Sequence, residues 1–248
     1  MLADCETPLP RPPSMSPLRV LVTGGGRGIG RAIALRFARE GAQVVVAARS
    51  STELDAVVAE IAAAGGQGLA AQMNVRDRGS VEAAVWRSNQ FTGEVLDVVI
   101  NNAGVFDVVP LTELDDETWE RNIEVNLRGA WYVTGEVLDA LSDGERPHLF
   151  NIASIAARQG FANTAAYCAS KYGLRGFGDA LREEWREMGI RVSTVYPGPT
   201  DTTIFDGVPG DWDRSTMNKP EDVAEVIWNA YQAADGEDIA DLDVPPPV

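Results

Sequence analysis

Cysteine, histidine and lysine are scarce in this sequence, and each shortage excludes a kind of chemistry. Of the 248 residues, two are cysteines and one is histidine. Cys5 and Cys168 give no disulfide framework, which favours a reducing, cytoplasmic setting for the chain. His148 has no cluster of potential ligands around it, so we expect a structural role for it and no metal site. No apolar run approaches the roughly 20 residues of a membrane-spanning helix, so we expect no membrane insertion.

Positive charge is scarce as well. The formal net charge is −16, and arginine supplies every basic side chain except Lys171 and Lys219. So large an excess of negative charge disfavours nucleic acid and anionic membrane surfaces as partners. Salt adaptation and codon bias are alternative explanations of the lysine-poor composition, and the functional argument does not depend on either.

The chain divides into a proline-rich start and one long folded region. Residues 1–17 contain five prolines and lack the charged start and apolar middle of a secretion signal, so we interpret them as a flexible tail. Over residues 18–248, apolar strands alternate with helical stretches, a pattern typical of parallel βαβ units. No internal repeat or change of composition marks a second domain. We therefore expect a single α/β domain with a doubly wound parallel sheet of the Rossmann type.

Hydrophobic periodicity gives approximate bounds for the helices and strands. The second helix should have Ser51 or Thr52 as its N-cap and Gly65 after its end. Residues 197–218 show no clear period. The predicted strands cover 18–23, 43–48, 68–72, 96–100, 148–153 and 190–196, and the predicted helices cover 29–40, 51–64, 79–90, 116–141, 165–188 and 220–233.

A glycine-rich segment follows the first predicted strand. Residues 23–30 read TGGGRGIG, which in this context predicts a dinucleotide-binding turn rather than a flexible surface loop. Gly24 permits the tight turn, Gly28 lets the backbone approach the pyrophosphate, and Gly30 lets the helix pack close to the strand. The phosphates would then meet the free N–H groups of the helix that Ile29 begins.

The charges beside the second predicted strand bear on which dinucleotide binds. NAD enzymes usually place Asp or Glu at the end of that strand to bind the ribose hydroxyls. This chain has Arg49 there and no acid before Glu53 on the next helix. Arg49, with Arg27 from the glycine segment, is suited to pair with a 2′-phosphate, although each arginine alone is equally well explained as a solvated charge. We predict NADP(H) as the preferred cofactor and keep NAD(H) as the alternative.

Three side chains in the second half of the chain have the spacing of an acid/base site. Tyr167 and Lys171 are four residues apart on a predicted helix, so they share one face. A cation one turn away should lower the pKa of the phenol, which is about 10 when unperturbed. Ser154 follows a predicted strand at the sheet edge where ligands bind, and its hydroxyl can stabilise charge on a substrate oxygen. Taken singly, each residue has a structural explanation; together they predict hydride transfer with Tyr167 as acid/base.

Six short segments follow one another along the chain: TGGGRGIG at 23–30, NNAG at 101–104, Asn126 in the VNL at 125–127, Ser154, YCASK at 167–171 and PG at 197–198. In this order they resemble the short-chain dehydrogenase/reductase family, in its common single-domain branch, over about residues 18–235. The resemblance implies a Rossmann-type fold and NAD(P)-dependent oxidation or reduction of an alcohol/carbonyl pair.

The resemblance assigns roles to further residues. Asn126 matches a catalytic asparagine that holds a water near the lysine and completes a proton path. Asn74 stands where the family often has Asp, and its amide oxygen can still bond the adenine amino group. The implied cofactor contacts are Asn74 and Val75 at the adenine, Asn101, Ala103 and Gly104 at the adenosine ribose, Tyr167 and Lys171 beside the nicotinamide ribose, and Pro197, Gly198 and Thr202 at the nicotinamide.

The family also implies a substrate lid and an oligomer. Residues 200–218 resemble the mobile lid, and their apolar side chains indicate a partly apolar substrate, although an ordinary surface loop is the alternative. The long helices predicted at 116–141 and 165–188 match helices that pair across a two-fold axis, which implies a homotetramer or otherwise a dimer. The apolar side chains expected on these helices are Trp131, Tyr132, Trp185 and Met188.

Other functions fit the sequence less well. A 3-oxoacyl-[acyl-carrier-protein] reductase is the main alternative, but so acidic a chain is a poor match for an acidic carrier protein. The sequence at 240–248 also departs from the glycine-rich ending of many such reductases. A non-catalytic NADP sensor would not need Ser154, Tyr167 and Lys171, and sugar-nucleotide epimerases with a similar Tyr/Lys pair typically have a larger substrate domain.

Overall fold

A computed structural model describes residues 16–233 and 239–246 of the chain. Over these residues the chain forms a single α/β domain, in which a seven-stranded parallel sheet lies between two layers of helices. This confirms the predicted fold class. All but the last two residues of the predicted tail, and Cys5 with them, lie outside the described residues. No helix in the described ranges is long and apolar enough to cross a membrane.

The sheet has the strand order β3-β2-β1-β4-β5-β6-β7. All of its pairs are parallel. The order reverses between β1 and β4, and such a reversal is the point at which open α/β sheets bind ligands. The strands are β1 (Arg19–Thr23), β2 (Gln43–Ala48), β3 (Gln67–Gln72), β4 (Val98–Asn101), β5 (His148–Ile152), β6 (Arg191–Pro197) and β7 (Asp241–Val244).

Seven α-helices cover the two faces of the sheet within the described ranges. They are α1 (Gly28–Ala38), α2 (Ser51–Ala63), α3 (Arg78–Thr92), α4 (Asp116–Ile123), α5 (Gly129–Ser142), α6 (Ala165–Glu184) and α7 (Pro220–Gln232). Alternate strand residues face opposite layers: Val20 and Val22 pack toward α1, α2 and α7, whereas Leu21 packs toward α3, α5 and α6. This period of two is what a strand buried on both faces requires.

Two helix predictions need correction. The N-cap of α2 is Ser50, whose hydroxyl accepts a hydrogen bond from the Glu53 backbone N–H over 3.3 Å, and not Ser51 or Thr52. The helix predicted over 116–141 is interrupted by a π-helical turn, Glu124–Arg128. Hydrophobic periodicity does not reveal such a turn, because it covers only five residues of a long helical stretch.

Strand β7 was missed because acidic residues alternate along it. Leu242 and Val244 pack into the core, whereas Asp241 and Asp243 point outward. Both carboxylates pair with Arg158, which lies 3.6 Å above the centroid of the Tyr196 ring. The Val244 carbonyl accepts hydrogen bonds from the Gly198 N–H and the Asn218 amide. The strand therefore supports the turn that follows β6.

His148 lies at the start of β5, where it is fully buried. Its Nε2 lies 2.8 Å from Ser193 Oγ. That hydroxyl already donates to the Ile239 carbonyl, so Nε2 is the donor. The ring stacks on Phe150 with centroids 3.8 Å apart. Burial, and then the charge of Arg191, lowers the pKa of His148 well below its usual 6.5, so the imidazole is neutral and part of the core.

Candidate active site

A cleft of about 750 Å³ opens at the carboxyl ends of the central strands, beside the reversal of strand order. Gly30, Asn101 and Asn126 are the predicted site residues that do not line it. The predicted residues that do line it are Gly24, Arg27, Gly28, Ile29, Arg49, Asn74, Val75, Ala103, Gly104, Ser154, Tyr167, Lys171, Pro197, Gly198 and Thr202.

The glycine segment forms a cradle at one end of this cleft. Gly28 has φ +54°, and a Cβ on it would lie 3.1 Å from Thr202 Cγ2, in the space that a ligand would use. A Cβ on Gly30 would lie 2.3 Å from the Gly24 carbonyl oxygen, so α1 can approach β1 only with glycine there. The N-terminus of α1 has no side-chain cap and no acid in its first turn. The cradle therefore fits a pyrophosphate.

Two arginines and one carboxylate share the end of the cleft beside β2. Arg49 is exposed at its rim. Glu53 lies on the helix after β2, but its carboxylate reaches this end of the cleft, 3.5 Å from the Arg27 guanidinium and beside Gly26. The side chains of this pair are 61% and 39% exposed, so the ion pair contributes at most about 1 kcal/mol and opens easily.

Ser154, Tyr167 and Lys171 meet at the other end of the cleft. Ser154 follows β5, and its hydroxyl lies close enough to the Tyr167 phenol to lower the pKa of that phenol. The first turns of α6 place Lys171 one turn beyond Tyr167, with Nζ 5.7 Å from the centroid of the phenol ring. That Nζ donates to the Ile152 carbonyl over 2.9 Å. The three predicted catalytic groups are therefore neighbours.

Burial decides the protonation of this group. Burial raises the pKa of Tyr167 to about 12, although the hydrogen bond with Ser154 opposes the rise. Burial also lowers the pKa of Lys171 to about 8. The expectation that Lys171 lowers the pKa of Tyr167 is therefore wrong for this structure, because the ammonium is turned toward the Ile152 carbonyl and desolvation dominates. At neutral pH the phenol holds its proton.

Asn126 lies behind the cleft, in the π-helical turn. Its Oδ1 accepts from the Val105 N–H over 2.8 Å, and its Nδ2 donates to the Val105 carbonyl and to Ser170 Oγ. Ser170 Oγ in turn donates to the Tyr167 carbonyl over 2.7 Å. The Asn126 side chain thus ties the loop after β4 to the helix that carries Tyr167. Such π-helical turns often occur at functional sites.

The two asparagines at the end of β4 face different surroundings. Asn101 does not lie at the cleft: its side chain is buried and donates to Thr134 Oγ1 and Asn151 Oδ1. Strand alternation directs it away from the position predicted under a ribose. Asn102 Nδ2 donates to the carbonyls of Thr23 and Gly24. It therefore joins the end of β4 to the glycine turn, and it lines the cleft.

Aromatic side chains cover the substrate side of the phenol. Phe106 lies edge-to-face with Tyr167, with ring centroids 4.7 Å apart. Phe205 and Trp212, from the predicted lid, contact Phe106 and each other. The sequence predicts apolar side chains in the lid but not the contribution of Phe106. Its position two residues after the NNAG segment was the available signal.

Comparison with known proteins fits this architecture. The model of the short chain dehydrogenase family matches residues 19–211. The chain belongs to the short-chain dehydrogenase/reductase family. It is therefore an oxidoreductase, and the resemblance noted in its sequence is confirmed.

The relatives of this short-chain dehydrogenase/reductase differ in substrate. It is 31% identical to a sepiapterin reductase of Chlorobaculum tepidum, over 86% of this chain and 89% of that protein. It is 38% identical to a 3-oxoacyl-[acyl-carrier-protein] reductase of Synechocystis, over 84% and 86% of the two chains. An alcohol dehydrogenase of Thermococcus sibiricus, complexed with 5-hydroxy-NADP, has a similar structure, with a TM-score of 0.85, 26% identity, and 92% and 96% of the two chains covered.

Proposed function

We propose that this enzyme interconverts a carbonyl and an alcohol with NADP(H), that Tyr167 is its acid/base, and that its substrate is partly apolar. The observation that carries the proposal is the convergence of Ser154, Tyr167 and Lys171 in the same cleft as the glycine cradle. Membership of an oxidoreductase family supports the reaction type.

Ser154 and Tyr167 act on the substrate oxygen. Their hydroxyls are neighbours in the cleft, so an oxygen placed against both accepts two hydrogen bonds as negative charge develops on it. Because the pKa of Tyr167 is raised to about 12, the phenol is protonated at neutral pH and acts as the proton donor of a reduction. When bound, NADPH would supply the hydride that the carbonyl carbon gains and would be oxidised to NADP⁺.

Lys171 and Asn126 restore the proton in this proposal. The Lys171 ammonium lies one turn beyond Tyr167. A Cβ on Gly104 would lie 3.7 Å from Lys171 Nζ and 3.3 Å from Asn126 Oδ1, so these two polar groups are close to each other. Lys171 also remains the predicted partner of the nicotinamide ribose. Asn126 remains the predicted next member of the proton path, with the π-helical turn as support.

The charges at the β2 end support NADP(H) over NAD(H). Arg49 is exposed at the rim and carries no ion pair in the described residues, so its guanidinium is available to a 2′-phosphate. Arg27 is held only by an exposed pair with Glu53, which a phosphate can replace. The Thermococcus sibiricus relative was crystallised with an NADP derivative, which agrees with this preference.

Arg49→Asp should weaken NADPH binding about tenfold to a hundredfold, because it removes a charge-assisted hydrogen bond and adds repulsion. NADH has no 2′-phosphate, so its dissociation constant should change far less. Calorimetric titration with each cofactor measures both values. Arg87→Asp is the matched control for net charge, since Arg87 is an exposed residue of α3. This variant should leave both dissociation constants unchanged. Equal losses for the two cofactors in Arg49→Asp would remove the 2′-phosphate assignment.

The proposed reaction is tested by NADPH oxidation with a panel of aldehydes, ketones, quinones and 3-oxoacyl thioesters. We expect tight NADPH binding and turnover of one class of carbonyl. Preferential turnover of 3-oxoacyl thioesters would instead favour an activity like that of the Synechocystis relative. NADPH binding with no turnover of any carbonyl would contradict the proposed reaction and favour an NADP sensor.

The lid and the oligomer complete the proposal. We assign residues 200–218 as the lid of the single catalytic domain, since Thr202, Phe205 and Trp212 line the cleft. We also assign a homotetramer, or otherwise a dimer, paired through α4, α5 and α6. Trp131 is 51% exposed on α5 and supports such a surface, whereas Trp185 is buried in the core and does not contribute.

A further inference from the structure

The space next to the catalytic phenol is an aromatic pocket, formed by Phe106, Tyr167, Phe205 and Trp212. Phe106 contacts the other three side chains, with its ring centroid 4.7 Å from that of Tyr167, 5.6 Å from that of Phe205 and 5.8 Å from that of Trp212. All three contacts are edge-to-face, with interplanar angles between 68° and 72°. A flat ring entering this pocket meets both ring faces and ring edges, the two arrangements that aromatic contacts prefer.

All of the arginines that line the cleft lie at its other end. Arg27, Arg49 and Arg76 line the end beside β2 and β3. Among the described residues that line the cleft, Lys171 is the only cation near the phenol, and its Nζ is bound to the Ile152 carbonyl. A carboxylate or phosphate on the substrate would therefore be buried in the aromatic pocket without a partner, which is strongly unfavourable.

The arginine of the lid is engaged elsewhere. Arg214 donates to the carboxylates of Asp201 and Asp206 and to the Thr202 carbonyl, at 2.7 to 2.8 Å. Its guanidinium also lies 5.6 Å from the centroid of the Phe205 ring. These bonds join Arg214, near the end of the lid, to the residues at its start, and they hold Phe205 in the pocket. The two carboxylates also offset the charge of Arg214, which makes it a poorer partner for an anionic substrate than an unpaired arginine.

We propose that the substrate of this enzyme is a neutral ketone, or the matching secondary alcohol, whose reacting carbon belongs to or adjoins a six-membered ring. The aromatic pocket binds the ring, and Ser154 and Tyr167 bind the oxygen. The inference rests on the proposed carbonyl reduction. It excludes acyl chains on an acidic carrier protein and hydroxy acids with a free carboxylate as preferred substrates.

Matched pairs of ketones test the charge and the ring separately. Acetophenone is compared with 4-acetylbenzoate, cyclohexanone with 4-oxocyclohexanecarboxylate, and both neutral ketones with 2-hexanone, each with NADPH and wild-type enzyme. We expect kcat/KM for the neutral ring ketones to exceed that for their carboxylates and for 2-hexanone by at least about tenfold. Equal or better turnover of the carboxylates, or of 2-hexanone, would overturn the proposal.

Variants of the pocket test the assignment of its residues. Phe205→Leu and Trp212→Leu should each lower kcat/KM for acetophenone about tenfold and leave that for 2-hexanone within about threefold. Trp86→Leu is the control, since Trp86 is 63% exposed on α3 and does not line the cleft. If both pocket variants reduced turnover of all ketones equally, the aromatic side chains would not select the ring.

Calorimetry separates failure of this inference from failure of the proposed reaction. Acetophenone and 4-acetylbenzoate are titrated into wild-type enzyme saturated with NADP⁺. Tighter binding of acetophenone supports the substrate class even if no ketone is turned over, in which case the reaction alone is refuted. Equal binding of the two, or tighter binding of 4-acetylbenzoate, refutes the substrate class whatever the rates.

Discussion

Replacement of Tyr167 by phenylalanine is expected to abolish carbonyl reduction while NADPH still binds almost as tightly. The variant removes one hydroxyl and keeps the ring, so the edge-to-face contact with Phe106 is retained. Ser154 alone can still bond the substrate oxygen, but the phenol proposed to donate the proton is gone. General acid catalysis contributes about 10² to 10⁴ in rate, and steady-state turnover should fall by at least that factor.

Tyr172→Phe provides the matched control for this experiment. Tyr172 lies on α6 close to Tyr167 in sequence, but its side chain is 44% exposed and does not line the cleft. Its variant should therefore keep wild-type turnover. The measurements are kcat for the best ketone and the dissociation constant of NADPH for both variants. A Tyr167→Phe rate within about tenfold of wild type would remove the proton-transfer role from Tyr167.

Sequence reasoning was most successful where one local pattern has one structural meaning. The six predicted strands correspond to β1 to β6, because apolar runs bounded by glycine or polar residues have few other solutions in an α/β fold. The glycine segment lies between β1 and α1 for the same reason. The four-residue spacing of Tyr167 and Lys171 predicted that they share one face of a helix, and α6 directs both side chains into one cleft.

The remaining features depend on contacts between distant segments. Strand β7 pairs with β6, and its Asp241 and Asp243 meet Arg158, a partner that lies over 80 residues earlier in the chain. The position of Glu53 depends on how α2 packs beside the glycine turn. The spacing of these residues along the chain does not predict that packing. The alternation that directs Asn101 away from the cleft depends on where β4 ends.

Protonation was the least predictable property of the site. A lysine one turn from a tyrosine suggested a lowered phenol pKa. In the folded protein, burial raises the pKa of Tyr167 and lowers that of Lys171, because desolvation of each group outweighs their mutual interaction. Burial depends on the whole packed cleft, so two residues and their spacing carry no information about it.

Gly30→Ala should destabilise the protein and weaken NADPH binding at the same time. The backbone of Gly30 is helical and accepts alanine, so space is the only obstacle. The new Cβ would lie 2.3 Å from the Gly24 carbonyl oxygen and 2.5 Å from Asn102 Nδ2. To relieve these contacts, α1 must move away from β1, which costs about 1–3 kcal/mol of the free energy of unfolding. The N–H groups of α1 would move with it, so NADPH affinity should fall at least about tenfold.

Gly135→Ala isolates the effect of space from the effect of removing a glycine. Gly135 lies in the interior of α5, and a Cβ there meets nothing within 4 Å. Alanine should therefore stabilise the protein by about 0.5–1 kcal/mol, through its higher helix propensity, and leave NADPH binding unchanged. Urea unfolding and NADPH titration of both variants test the pair. If Gly30→Ala were as stable as Gly135→Ala and bound NADPH normally, close approach of α1 to β1 would not be what forms the cofactor cradle.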